Sequence, residues 1–350
     1  MKKFVLAALV IPALLLTTCK TDIDLLDDWK ETAVVYGLLD QSVYKPGSAL
    51  PPKQFIRIQK AYLGEGNALE MAQVYDSINY INSLNVNIEE WNNGNLLNTY
   101  VLQPDTTIIK DAGLFAYPNM VLYATLPTDT LDNPTSTYKL VIRNSETGNE
   151  ITAQTLLVGN FNITAPSGST VNITKLNASY KVTVGWNSAT YGRVYQPAMR
   201  IFYNEVDINN VSSSRLLEMQ LGTEKSNGLY GGEPMDVSLE PGDFYRFLNN
   251  NIASNANILY RTFDHIEFIV YAGGDDLSTY IDVNAPSTSI VQEKPIYTNI
   301  NNGLGLFSSR YSVIRAPYSV TPTTLDTLAY NANTCHLRFK DRNGVIGFCQ

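Results

Sequence analysis

Three observations predict an all-β protein built as two antiparallel sandwiches of immunoglobulin and fibronectin type, with one or two short helices in the second. Short runs rich in Val, Ile, Thr, Tyr and Phe alternate with clusters of Gly, Pro, Asn, Asp and Ser along most of the 350 residues. The chain is 44% apolar and only 17% charged, with 22 Tyr, 22 Gly and 16 Pro, a composition that suits ordered strands better than a disordered segment. Between Asn160 and Gly168 the text turns to Asn, Thr, Pro, Ser and Gly, which reads as a linker between the two sandwiches.

The first 18 residues carry a signal pattern. Lys2 and Lys3 precede an apolar run, Phe4 to Leu16, shorter than the roughly 20 residues a spanning helix needs. Leu16-Thr17-Thr18-Cys19 then looks like the lipobox of bacterial lipoprotein processing, which would leave an acylated Cys19 as the new N-terminus. Acyl chains anchor durably because each buried methylene contributes about 0.8 kcal/mol. The expected product touches the lipid bilayer through Cys19 and does not cross it. Residues 19–30, with Asp22, Asp24, Asp27 and Asp28, read as an acidic tether.

Residues 31–160 are expected to form the first sandwich. Thr32 to Leu39, Phe55 to Tyr62, Leu84 to Trp91, Val121 to Leu126 and Tyr138 to Ile142 have strand composition. In the third, Leu84, Val86 and Ile88 alternate with Asn85, Asn87 and Glu89, the period of a half-buried strand. Ser145 to Asn149 reads as a hairpin loop joining Tyr138–Asn144 to Glu150–Val158.

Residues 161–350 are expected to form the second sandwich from Tyr180 to Trp186, Ala198 to Tyr203, Arg215 to Gly222, Met235 to Leu239 and Thr262 to Ala272. One helix is predicted after a Pro241-Gly242-Asp243 cap, with Phe244, Phe247, Leu248, Asn251 and Ile252 on one face. A shorter one follows Asp275 and Asp276, with Leu277, Tyr280 and Ile281 facing inward.

The segment Tyr297-Thr298-Asn299-Ile300-Asn301-Asn302-Gly303-Leu304-Gly305-Leu306-Phe307 leads into Ser308-Ser309-Arg310-Tyr311. With the lipobox and the Val34–Leu38 strand, it resembles an uncharacterised Bacteroidetes family of two-domain β-sandwich outer-membrane lipoproteins, commonly encoded beside TonB-dependent transporters. The acidic run after Cys19 is similar to the surface-export signal of that phylum. Asp-Ser/Thr tripeptides resemble its O-glycosylation acceptors, which marks Ser77, Thr106, Thr130 and Thr327 as candidates. The Gly-Leu-Gly element lacks the remainder of any nucleotide-binding fingerprint, so its glycines are expected to serve a left-handed φ or a close backbone approach, with Leu304, Leu306 and Phe307 packed.

Cys335 and Cys349 are the only cysteines besides Cys19, and an exported protein would hold them as a disulfide. The intervening sequence suggests a hairpin turning at Asn343-Gly344. A two-residue turn pairs Cys349 with Arg338, whereas a three-residue loop with Asn343 left-handed aligns the cysteines.

Catalytic patterns are sparse. Two histidines, His265 and His336, leave little scope for a zinc site, and no Gly-x-Ser-x-Gly elbow occurs. His265 and Glu267 share a strand face and read as a solvent-facing hydrogen-bonded pair. Asp275 and Asp276 lack the alternating oxygen ligands of a calcium loop. No metal or cofactor is expected. The net charge of −8 argues against nucleic acid. Gly-flanked tyrosines at Tyr191, Tyr195 and Tyr230 are candidates for stacking a glycan or anchoring a protein. The expectation is an outer-membrane lipoprotein, surface-facing or on the periplasmic leaflet, that acts without catalysis as an accessory of an envelope complex. The partner implied by the resemblance is an outer-membrane barrel such as a TonB-dependent transporter, or another lipoprotein. The competing expectation is an independent glycan- or matrix-binding module.

Overall fold

The first strand, β1 (Thr32–Asp40), is apolar on both faces: Ala33, Val35 and Leu39 point into a core, while Val34, Tyr36 and Leu38 alternate with them. That two-sided pattern belongs to a strand covered on both faces. The computed structural model, which describes residues 32–45, 52–61, 67–80, 82–113, 115–116, 118, 120–174, 181–286 and 295–349, places β1 near the middle of the largest sheet. The signal peptide, Cys19 and the tether lie outside the described residues.

The first half of the chain continues with β2 (Phe55–Ala61), short helices α1 (Ala68–Ala72) and α2 (Tyr75–Ile78), β3 (Leu84–Asn92) and β4 (Asn95–Asp105). Then follow β5 (Leu122–Ala124), β6 (Thr137–Asn144) and β7 (Glu150–Leu156). β4 belongs to two layers. Its Asn95–Leu102 part pairs with β3 in the order β4-β3-β6-β7, and Gln103–Asp105 pairs with β5, which continues to β2 and β1. Val35, Ile56, Ile58 and Tyr123 of one layer meet Val86, Ile88, Tyr138, Leu140 and Ile142 of the other in one core.

The second half adds β8 (Ile163–Ala165), β9 (Thr170–Val171), β10 (Val182–Asn187), β11 (Val194–Asp207), β12 (Ser212–Gln220), β13 (Glu224–Lys225) and β14 (Pro234–Leu239). Helix α3 (Pro241–Asn251), β15 (Ile258–Gly273), helix α4 (Asp275–Asn284), β16 (Gly303–Val320) and helix α5 (Pro322–Tyr330) complete it. The three-stranded sheet β14-β10-β8 and helix α3 pack Val184, Trp186, Phe244 and Leu248 against Met199, Ile201, Phe268 and Val270 of the large sheet. The protein is mostly β, with large sheets around two hydrophobic cores.

One strand ties the halves together. The first part of β16 pairs in parallel with β1, ending with Asp40 opposite Arg310. Its second part pairs antiparallel with β15, beginning with Gly273 opposite Arg310. The same strand sends Phe307 into the first core and Tyr311 into the second. The close-approach reading of Gly-Leu-Gly is met at Gly305 (φ +113), which lies against the Val35 backbone inside this parallel pair. Leu306 and Phe307 are buried, but Leu304 is 36% exposed on the outer face.

Several expectations need correcting. β4 was not anticipated, because Asn95, Asn98 and Thr99 dilute its apolar pattern. Nor was the length of β16, whose glycines resemble turn formers when read locally. Helices α1, α2 and α5 were also unexpected, so three helices rather than one or two lie in the second half among the described residues. Asp243 does not cap α3: Glu240 holds the N-cap position without a side-chain bond, and Asp243 pairs with Arg246 in the first turn. Tyr245, which the predicted face omits, is buried and donates to the Ile173 carbonyl at 2.9 Å.

The disulfide Cys335–Cys349 is formed, by a route other than either hairpin. Cys335 starts a 3₁₀ turn (Cys335–Leu337), Arg338 is left-handed, and the turn pairs Lys340 with Ile346, with Gly344 rather than Asn343 at positive φ. The cysteines meet at the base of this loop, not across a regular ladder.

Candidate functional site

Helix α4 was expected to bury Leu277, Tyr280 and Ile281. Instead it crosses the outer face of the large sheet near the β1–β16 pair, with Leu277 and Tyr280 half-buried and Ile281 exposed. A groove opens on each side. The first, about 540 Å³, is lined by Tyr36, Leu38, Phe55, Ile108, Leu306 and Tyr280, with Asp40, Lys53 and Gln54 at its end. The second, about 470 Å³, is lined by Val194, Gln196, Glu218, Gln220, Tyr271 and Ile281. Leu38, Leu277 and Arg310 line both, so the two lobes form one feature over the strand shared by the two cores.

The chain builds this floor by register. Val34, Tyr36 and Leu38 of β1 stand beside Leu304, Leu306 and Ser308 of β16 on the same face. Polar groups rim the apolar floor. Arg310 Nε donates to the buried Asp40 carboxylate at 2.9 Å. Gln54 fixes the end of β1, accepting from the Asp40 amide at 2.8 Å and donating to the Asp40 carbonyl at 3.1 Å. Lys53 pairs with Asp105 at 3.2 Å, and the bonds from Thr107 hold the Asp105 carboxyl below the usual carboxylate range. In the second lobe Arg200 Nε donates to Glu218 at 2.8 Å and its Nη2 to the Tyr271 hydroxyl at 2.9 Å.

Two groups on this face have unusual surroundings. The hydroxyls of Tyr36 and Tyr280 lie 3.2 Å apart with their rings edge to face, and this bond, with burial, pushes the Tyr36 phenol up to about 12. Arg57, cross-strand from Tyr36, is half-buried, and its Nε has no hydrogen-bond partner. Burial lowers its affinity for the proton, an effect the neighbouring Tyr36 partly offsets.

The three tyrosines proposed from sequence do not form one surface. Tyr230 is 95% exposed, and Tyr191, left-handed at φ +61, sits near it because Thr190 bridges to Tyr230. Tyr195 is fully buried: its hydroxyl accepts from the Ala189 amide at 2.7 Å and its ring packs on Trp186 and Phe161, so it is a core residue. Thr106 and Thr130 are exposed. Ser77 and Thr327 are half-buried, with hydroxyls donating to the Val74 and Thr323 carbonyls.

His265 stacks on Phe202 with centroids 4.3 Å apart, its Nδ1 3.1 Å from Asp264, while Nε2 is 3.9 Å from Glu267. Asp276 accepts from the Tyr297 hydroxyl, and Asp275 lies 3.7 Å from Arg193. No group of three or more potential metal ligands occurs among the described residues, and no helix among them is long and apolar enough to cross a membrane. Sequence reasoning missed Tyr36, Leu38 and Arg310 as groove residues. The legible signal was the two-sided apolar pattern of β1, which supplies more apolar side chains than one core needs.

No family model matches the chain, and neither does any curated protein. Among solved structures, it has a similarity to the C-terminal globular domain of an oligosaccharyltransferase from Pyrococcus abyssi, at 12% identity and a TM-score of 0.23. That match covers 67% of this chain and spans 45% of the archaeal one. A similarity at this level assigns neither fold nor activity.

Proposed function

We propose that the protein is a lipid-anchored outer-membrane recognition module, surface-facing, that docks an envelope partner such as a TonB-dependent transporter through the two-lobed groove around α4. The observation that carries this reading is the groove itself, an apolar floor over the strand common to both cores. Docked apolar side chains would complete the half-covered α4 face.

The test is a mild-detergent pull-down of the full chain from its native membrane, comparing wild type, Cys19→Ala and the surface variant Ile281→Lys. A stoichiometric barrel or lipoprotein partner retained by wild type and lost in both variants supports the reading. Recovery of the protein alone, or a partner indifferent to Ile281→Lys, overturns it. A second reading, glycan binding, is favoured by the 41% exposed Tyr36 ring beside Gln54 and Arg310. It requires Tyr36-dependent binding of isolated polysaccharide.

A further inference from the structure

A cavity separate from the groove lies at the N-terminal end of α4, where the two halves of the chain meet. Register builds it. On the outer face of the β6–β7 pair Thr137 stands opposite Leu156, and Lys139 opposite Gln154. Strand β16 runs alongside β7, with Ser309 Oγ donating to the Leu156 carbonyl at 2.6 Å. Its neighbour Ser308 points to the opposite face, the one that α4 crosses. The result is a chamber of about 250 Å³ lined by Thr137, Gln154, Ser308, Asp276, Tyr191 and Leu229. A second chamber of about 400 Å³, which Lys139 and Asn301 help to line, shares Gln154 and Asp276 with it.

A buried hydroxyl in the first chamber is left without a bond. Ser308 is 1% exposed, and its Oγ has no hydrogen-bond partner among the described residues. It lies against Gly274, the N-cap of α4: a β-carbon on residue 274 would come within 3.1 Å of it. No side-chain bond caps the helix there either, so its first amides face the same chamber wall that Gly274 lines. A bound group that reached Ser308 would recover the free energy lost by leaving the hydroxyl unpaired.

The surroundings narrow the chemistry of that group. Asp275 and Asp276 in the first turn of α4 oppose an anion. A cation would meet the positive end of the same helix, and the carboxylates are engaged: Asp276 accepts from Tyr297, and Asp275 lies 3.7 Å from Arg193. An extended peptide would need an open ladder, and on β7 Thr152 has already exchanged backbone bonds with Asn301. A neutral, hydroxyl-rich ligand meets none of these obstacles. Its hydroxyls can donate to carboxylates and carboxamide oxygens and accept from amides, while its apolar C–H face can lie against Tyr191 and Leu229. That wall is fixed, since the Tyr191 amide donates to the Leu229 carbonyl at 2.7 Å. Together the chambers reach the size of small-molecule sites, roughly 300–1,000 Å³.

We propose that this two-chambered cavity is an oligosaccharide-binding site. One sugar ring bonds to Ser308 and Gln154 in the first chamber, and the next extends past Gln154 toward Lys139 and Asn301. The site shares no lining residue with the partner-docking groove around α4, so it is tested separately.

The experiment is calorimetric titration of the full chain carrying Cys19→Ser with neutral hexasaccharides of the gluco, xylo, manno and galacto series, and with an anionic hyaluronan hexasaccharide. At least one neutral probe is expected to bind. Its affinity should fall about fivefold in Gln154→Ala and in Ser308→Ala, the loss of one neutral hydrogen bond in each. The melting temperature of Ser308→Ala should equal or exceed that of wild type, because the variant removes a hydroxyl that the free protein leaves unpaired. No binding by any neutral probe, tighter binding of the hyaluronan probe, or affinity unchanged in either variant overturns the proposal. So does a lower melting temperature for Ser308→Ala, which would mean that the hydroxyl is already satisfied. Affinity that falls in Tyr36→Ala and not in Gln154→Ala also overturns it, and assigns the sugar to the α4 groove instead.

Discussion

Gly305 lies so close to the Val35 carbonyl that a β-carbon at residue 305 would overlap it, and its φ of +113 is one that other residues rarely adopt. The contact is the seam of the parallel β1–β16 pair, where the two halves of the chain share a strand. Gly305→Ala should therefore lower stability by about 2–4 kcal/mol, combining left-handed strain with a backbone displacement. Gly148→Ala, also at positive φ but with nothing within 4 Å, should cost only about 1 kcal/mol. Urea denaturation of the two variants measures the difference, and equal losses would mean that the seam relaxes freely.

Arg261 is 2% exposed and binds three places at once: Glu205 at 2.9 Å, the Leu337 carbonyl at 2.6 Å and the Ala253 carbonyl at 3.1 Å. Arg261→Met should cost about 3 kcal/mol, since it strands two carbonyls and half-uncouples a carboxylate. Limited proteolysis should show the C-terminal segment near Leu337 released first.

Burial alone would raise the Glu205 carboxyl, but the bonds from Arg215 and Arg261 outweigh it and hold the group below its ordinary value. A depressed folded value means that the contribution to stability is complete above the unfolded value near 4.3 and fades as pH falls through the folded one. Wild type should thus lose stability below about pH 4 more steeply than Glu205→Gln. Parallel acid-denaturation curves for the two would contradict this account.

The Tyr36 phenol is held protonated by its bond to Tyr280 and by burial, so its ionisation is displaced to about 12. Its folded value lies above the unfolded one of roughly 10, so the associated stabilisation is present below that pH and lost above it. Ultraviolet titration of Tyr280→Phe should show one phenol moving to lower pH than in wild type. Occupation of the groove should alter the same transition.

Replacing both Cys335 and Cys349 by Ser opens a loop with a sequence separation of 14. The chain-entropy model gives about 3 kcal/mol for a loop of this length. Thermal unfolding with and without reductant should reproduce the loss in wild type and leave the double variant unchanged.

Much of the β architecture was legible because alternation of apolar side chains records burial directly. β3 and β6 lie within a residue or two of the predicted bounds, and helix α3, whose 3.6-residue pattern is equally local, ends where expected but starts three residues before the predicted Phe244. What failed was anything set by a distant partner. β4 reads as polar because half of it borders solvent, and β16 reads as a turn because its glycines answer to Val35 and Ala33, far away in sequence. The groove as a whole could not be read for the same reason, although its β1 side had a local signal in the two-sided apolar pattern: Tyr36, Leu277 and Arg310 lie far apart along the chain.

The sequence by itself determined the class of fold and the cysteine pair, because each depends on a residue and its near neighbours. Only the tertiary structure decided that β16 serves both cores, that Tyr195 is buried while Tyr230 is not, and that α4 leaves its apolar face half open. Those outcomes depend on which strands lie beside one another, and strand order is set by packing over the whole chain rather than by any local pattern.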